Sequence, residues 1–155
     1  MTRPESPYPG LNYVPTVRAA AALPAAGAWD TDPLVEFITA GLEELTLFIT
    51  YTEGEQAADG AVNFRIEYSP YGTDVAGIED WFAMPMYDAG ALVPAADTTS
   101  QIQREDITYA AVDDTAQMWV YPVGLNGTVE RVRVPCREIG VVGTPGECHI
   151  RGVLW

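Results

Sequence analysis

Short stretches of alternating apolar and polar residues recur along the chain, and they predict β-strands. The clearest stretch is residues 62–68. Its even-numbered residues are Val, Phe, Ile and Tyr, whereas its odd-numbered residues are Asn, Arg and Glu. Successive side chains of a strand point to opposite faces, so this period of two predicts a strand with one apolar and one polar face.

Other segments have the same β-prone character between Gly, Pro and Asn turn signals. They are residues 34–39, 45–51, 81–87, 101–112, 117–123, 129–134, 137–142 and 147–155. Residues 45–51 are apolar on both faces, which is typical of a strand buried on both sides. Pro85 cannot donate to a ladder and therefore predicts an edge strand at 81–87. Together the segments predict an all-β fold, an antiparallel sandwich or jelly roll of about eight strands.

Two turn motifs predict hairpins in the last third of the chain. The sequence LNGT at 125–128 would join the strands on either side of it, and GTPG at 143–146 would do the same for 137–142 and 147–155. In the second hairpin Cys148 would face Val141 and not Cys136. The register therefore predicts two free, buried thiols that are too far apart to bridge.

Residues 1–33 differ from the rest because they contain six of the twelve prolines. Such a segment cannot be a helix and pairs poorly as a central strand. We therefore predict an extended N-terminal arm at 1–33, followed by a β-sandwich domain at 34–155. Extended arms become ordered by lying on a neighbour. The apolar residues expected to make that contact are Tyr8, Leu11, Tyr13, Val14 and Val17.

The charge of the chain excludes several partners. Its formal net charge is −14, and all eight basic residues are arginine. A chain this acidic lacks the basic footprint that nucleic acid requires, and anionic lipid would repel it. No apolar run approaches the roughly 18 residues of a membrane helix, and the N-terminus does not resemble a signal peptide. The charge favours solubility through self-repulsion, or adaptation to a saline or GC-rich source.

Candidate catalytic groups are few. His149, the single histidine, lies next to Cys148, and neighbours on a strand point to opposite faces, so the two cannot form a dyad. Paired acidic residues could bind calcium or hydrolyse glycosides, but none matches a calcium-loop spacing. No phosphate-binding, dinucleotide-binding or zinc-protease motif is present. The sequence therefore predicts no enzyme, no cofactor and no metal site.

Large aromatic residues offer one alternative. Trp81, Trp119 and Tyr121 could form an exposed platform for a glycan, or they could belong to the core and to protein interfaces. The first case would make the protein a carbohydrate-binding module.

Three segments resemble small virion proteins of tailed bacteriophages: WDTDPLVEFITAGLEELTLFITYTEG, VNFRIEYSP and RVRVPCREIGVVGTPGECHIRGVLW. The resemblance covers about residues 28–155 and implies a non-enzymatic β-sandwich. It implies a capsid decoration protein whose arm docks on neighbouring subunits, or alternatively a neck, connector or tail component. The expected partners are the major capsid protein, other virion subunits and copies of the chain itself. The expected location is the virion, assembled in the host cytoplasm.

Overall fold

The computed structural model of the protein describes residues 16–24, 27–30, 35–39, 42–54, 60–72, 81–87, 103–104, 106–111, 115–125, 129–140 and 143–154. Thirteen strands lie in these ranges: β1 (Thr16–Ala22), β2 (Phe37–Ile38), β3 (Glu44–Thr52), β4 (Ala61–Phe64), β5 (Glu67–Ser69), β6 (Phe82–Ala83), β7 (Met86–Tyr87), β8 (Gln103–Arg104), β9 (Ile107–Ala110), β10 (Gln117–Gly124), β11 (Arg131–Arg133), β12 (Cys136–Ile139) and β13 (Glu147–Leu154). All pairings are antiparallel, which confirms the predicted all-β class. No helix in these ranges has the length and apolar character needed to cross a bilayer.

The first layer, sheet I, has the strand order β1-β13-β3-β10. Its central strand β3 pairs along its whole length with β10 on one side and β13 on the other. The odd-numbered residues of β3, from Leu45 to Tyr51, are buried, whereas its even-numbered residues are partly exposed. Sheet I therefore has one inner face and one face open to solvent.

The second layer, sheet II, is built on one long strand pair. Strand β11 pairs with β5 and β12 pairs with β4, and the paired residue numbers add up to 200 in both ladders, as in Arg133–Glu67 and Cys136–Phe64. The ladder is interrupted at Pro135, which has no N–H to donate. The Arg65 N–H still donates to the Pro135 carbonyl at 3.2 Å, so the register continues through the interruption.

Shorter strands complete sheet II at its edges. Strand β2 pairs with β11, while β6 and β9 extend the other side along β5 and β4. A separate two-stranded ladder joins β7 to β8. The break between β6 and β7 falls at Met84–Pro85, and β6 lies at a sheet edge, as Pro85 predicts.

The core lies between the two sheets. Even-numbered residues of sheet II, such as Val62, Phe64 and Val132, pack against inner residues of sheet I, such as Leu47 and Ile150, and all five are fully buried. The two layers form a β-sandwich. The alternation predicted for residues 62–68 is therefore correct, with Phe64 and Ile66 inside.

Neither predicted hairpin forms. Strand β10 belongs to sheet I and β11 to sheet II, and in the same way β12 and β13 lie in different sheets. Both turn segments thus carry the chain from one layer to the other. The register argument that separated Cys136 from Cys148 assumed a hairpin, which does not form: the two residues lie on opposite sheets and face the same core as neighbours. They are free and buried, as predicted.

The described part of the predicted arm belongs to the domain. Strand β1 pairs with β13 as an edge of sheet I, so the boundary at residue 33 does not separate it from the sheet. Val17 is 2% exposed and lies in the core, which makes its prediction as a partner-binding residue wrong. Tyr8, Leu11, Tyr13 and Val14 lie outside the described residues.

Two buried carboxylates hold loops around the end of β3. The Tyr51 hydroxyl donates to Glu138, which also accepts the Gly146 N–H at 2.9 Å. Glu53 accepts the Gly60 N–H at 2.6 Å. A Cβ at Gly146 would lie 2.5 Å from the Tyr51 ring, so only glycine fits there. Burial, and then the hydrogen bond to Glu138, raises the pKa of Tyr51 above its ordinary value.

Because that pKa is raised, Tyr51 favours folding while its phenol is protonated. Its contribution is fully present below the ordinary tyrosine pKa of about 10 and is lost as pH rises further. We expect Tyr51→Phe to lower the free energy of unfolding by about 1.5–3 kcal/mol near neutral pH, the value of a hydrogen bond to a charged group. The deficit relative to wild type should shrink in urea titrations above about pH 10. Tyr71→Phe, at an exposed ring, is the control, and a deficit independent of pH would refute this assignment.

Candidate functional site: an outer apolar face and an arginine–tryptophan stack

The solvent side of sheet I carries a patch of apolar side chains in three rows across β10, β3 and β13. The register gives the rows Met118–Thr50–His149, Val120–Phe48–Arg151 and Pro122–Thr46–Val153. Five of these nine residues are apolar, and we call them the outer apolar face: Phe48, Met118, Val120, Pro122 and Val153.

The outer apolar face is open to solvent. Met118 is 58% exposed and Val120 is 52% exposed, the largest values among the exposed large apolar side chains of the described residues. None of the nine residues in the three rows is acidic, and Arg151 gives them a formal charge of +1 in a chain of −14. The three rows therefore combine apolar surface with one positive charge, and the exposed carboxylates of Glu44 and Glu147 lie on the same face beyond the two ends of the rows.

The solvent side of sheet II carries a different arrangement, in which arginines alternate with tryptophans and carboxylates. We call these nine residues the arginine–tryptophan stack. In order of contact they are Asp106, Arg137, Trp29, Arg65, Glu67, Arg133, Trp81, Arg131 and Glu36.

Each tryptophan of the stack lies under two guanidinium groups. The Arg65 and Arg137 guanidinium carbons are 4.6 and 4.2 Å from the centre of the Trp29 ring. Those of Arg131 and Arg133 are 4.9 and 4.2 Å from the centre of Trp81. A planar guanidinium can stack on an indole and bind a carboxylate at the same time, which a lysine ammonium cannot do equally well.

Glu67 joins the two halves of the stack. Its carboxylate lies 2.5 Å from Arg65 and 2.6 Å from Arg133, and it is almost completely buried. At the two ends, Asp106 pairs with Arg137 at 3.5 Å and Glu36 pairs with Arg131 at 3.0 Å. The odd-numbered residues of both long strands meet on this face because odd numbers pair with odd numbers when each pair adds up to 200.

The three aromatic residues predicted as a glycan platform do not share a surface. Trp81 belongs to the stack on sheet II. Trp119 stacks on Tyr109 at 5.0 Å, and Tyr121 meets Phe64 edge to face at 5.6 Å, so both point inward from β10. Trp119 and Tyr121 are partly buried against the core. The prediction that they are exposed is therefore wrong.

The remaining candidate groups are distributed over the domain. His149 is partly buried and lies in the outer rows of sheet I, on the opposite face from Cys148, as its position in the strand predicts. Glu43 and Glu44 are exposed. Within the described ranges no three His, Cys, Asp or Glu side chains come together as metal ligands.

Sequence reasoning missed both surfaces. It assigned Trp119 and Tyr121 to a possible exposed platform, whereas the exposed residue between them on β10 is Val120. The period-two pattern of β10 contains the signal, since its odd positions continue into buried Val123. The stack was not visible because Trp29 and Trp81 come from segments far from the arginines in sequence.

Comparisons with protein-family models, with curated protein sequences and with solved structures find no match to this chain. What the two surfaces can do therefore has to be inferred from their own chemistry. The outer apolar face can be buried against another protein, whereas the charges of the stack are already paired within the chain.

We expect Glu67→Gln to lower the free energy of unfolding by about 2–4 kcal/mol, because it removes the shared partner of two guanidinium groups. Glu36→Gln is the matched control. Glu36 is more exposed, and Arg131 keeps its bond to the Tyr71 carbonyl at 2.7 Å, so the loss should stay within about 1 kcal/mol. Urea unfolding of both variants measures the difference, and equal losses would contradict a central role for Glu67.

Proposed function

We propose that the protein is a non-enzymatic structural subunit of a tailed-bacteriophage virion, and specifically a capsid decoration protein. It would stabilise the shell by binding the major capsid protein or other virion subunits and copies of itself, with no nucleic acid or membrane partner. The observation that carries the proposal is the outer apolar face, an exposed patch of large apolar residues on a regular sheet.

Protein association explains this patch better than chance exposure does. Scattered apolar residues are normal on a protein surface, but neighbouring ones on a sheet face mark an interaction site. Copies of a chain with net charge −14 repel one another. The three rows of the patch contain Arg151 and no carboxylate, so an acidic protein surface would meet less repulsion there than at the acidic parts of the chain.

The size of the patch indicates that it would be the centre of a larger interface. Three strands about 4.8 Å apart and five residues of about 3.4 Å along each strand cover roughly 240 Å² of sheet. A standard interface buries about 800 Å² on each partner. Additional contact area has to come from elsewhere in the chain, and residues 1–15 are the natural source.

Strand β1 begins close to the patch. Thr16 pairs with Arg151, which lies in the same row as Phe48 and Val120. The chain therefore enters the described domain about two strand spacings, or roughly 10 Å, from Phe48. Contacts made by Tyr8, Leu11, Tyr13 and Val14 would extend the interface of the outer apolar face.

Two alternative functions would use the surfaces of the protein differently. A neck, connector or tail component could use the same surfaces at another position in the particle. A carbohydrate-binding module would need Trp81, Trp119 and Tyr121 on one surface, and no observation favours that function.

Immunogold electron microscopy locates the protein directly. Antibodies to the purified protein should label the capsids of phage particles that are banded from the source culture. Label confined to the tail or neck would support the first alternative, and particles without any label would refute a virion role.

A charge placed in the outer apolar face should block association without unfolding the domain. We expect Val120→Asp to reduce cosedimentation with phage particles that lack this protein by at least about tenfold. The reason is that burying an unpaired carboxylate at an interface costs several kcal/mol. Ala110→Asp, at an exposed position of β9, is the control and should bind like wild type. Circular dichroism melts check that both variants fold. Binding of Val120→Asp at the wild-type level would exclude this face as the docking surface.

A further inference from the structure

Cys136 and Cys148 form a buried thiol pair between the two sheets. Both residues have no exposed surface, and both thiols are free. Cys136 lies on β12 in sheet II and Cys148 on β13 in sheet I. Their side chains are neighbours in the core, and the Cys136 thiol donates to the Val134 carbonyl at 3.6 Å.

A single ion pair fixes the backbone at both cysteines. Arg18 donates from Nε to Asp30 at 2.9 Å and from Nη1 to the Cys148 carbonyl. Asp30 accepts the Cys136 N–H at 3.2 Å, and its own N–H donates to the Cys136 carbonyl at 2.8 Å. The Arg18–Asp30 pair therefore connects β1, β12 and β13 directly beside the thiols.

The thiols are held in their unreactive form. Burial, together with the neighbouring Cys148 thiol, raises the pKa of Cys136 well above its ordinary value. The thiolate is the reactive species in disulfide chemistry, so oxidation in the closed state is slow. A structural role as two small apolar side chains would explain burial, but it does not require one ion pair to bind the backbone of both cysteines.

We propose that Cys136 and Cys148 are the site of a reversible intramolecular disulfide that links sheet I to sheet II. The oxidant is a small peroxide such as hydrogen peroxide. One thiolate attacks a peroxide oxygen, forming a sulfenic acid and releasing water after protonation. The second thiol then attacks that sulfur, forming the S–S bond and releasing a second water. Two thiols are oxidised, one peroxide is reduced, and a dithiol reductant reverses the reaction.

Access to the pair would come from the sheet edge. Strand β1 is an edge strand that pairs with β13 irregularly, with register shifts on both sides of Arg18. Ala21 lies opposite Cys148. Local opening of β1 breaks the Arg18–Asp30 contacts and uncovers Cys148, so the ion pair acts as the gate for oxidation.

Peroxide treatment of the reduced full-length protein tests the proposal. Intact mass should decrease by two hydrogen atoms, and non-reducing peptide mapping should join the peptides that contain Cys136 and Cys148. Because the disulfide would close the loop between residues 136 and 148 and restrict the unfolded chain, the melting temperature should rise by about 5–10 °C. Dithiothreitol should restore the original mass and melting temperature.

Variants separate this reaction from general oxidation. Cys136→Ala and Cys148→Ala should give neither the cross-link nor the rise in melting temperature. If the alanine variants do not fold, Cys148→Val restores the lost volume. Arg18→Gln should form the disulfide severalfold faster than wild type, and an unchanged rate would refute the gating role of the ion pair.

Three results would overturn the proposal itself. They are oxygen addition to single cysteines without a cross-link, disulfide-linked dimers in place of the intramolecular product, and a melting temperature that falls on oxidation.

Discussion

The register between residues 61–69 and 131–139 is the constraint on which the rest of the domain depends. Because odd numbers pair only with odd numbers, the even positions supply Phe64 and Val132 to the core while the odd positions supply Glu67 and Arg133 to the stack. A shift by one residue in either strand would exchange the two sets. The apolar core and the charged outer face are thus two results of one alignment.

The two solvent faces of the sandwich have opposite chemistry. On sheet II, each arginine of the stack has a carboxylate partner, but four arginines and three carboxylates leave a formal charge of +1. The buried Nε of Arg65 has no hydrogen-bond partner. On sheet I, Met118 and Val120 are exposed. The structural role proposed above would use both faces, since one would stay in solvent while the other joined a neighbour.

The strands could be predicted from local pattern, but their partners could not. Residues 62–68 fold as their alternation predicts, and Pro85, which has no N–H to donate, follows an edge strand. Residues 45–51 form a strand as predicted, but only one of its two apolar faces is buried, because the other face of sheet I is open to solvent. The LNGT and GTPG turns were assigned to hairpins because local turn chemistry does not reveal which layer the next strand joins. The same limit separated Cys136 from Cys148 and hid the stack, because cation–π contacts between distant segments have no period in the sequence. At β10, alternation indicated two faces, but hydropathy alone did not show that Trp119 faces inward.

The position of β3 in the chain has a consequence for how the protein folds during synthesis. Both neighbours of this central strand, β10 and β13, are made after it, and β13 ends at Leu154. At about 5–20 residues per second, some 5–20 s pass between the synthesis of β3 and that of β13. Pairings between such distant segments also form slowly in the complete chain. Sheet I is therefore completed only when nearly the whole chain has been synthesised, and until then its central strand β3 has at least one edge unpaired.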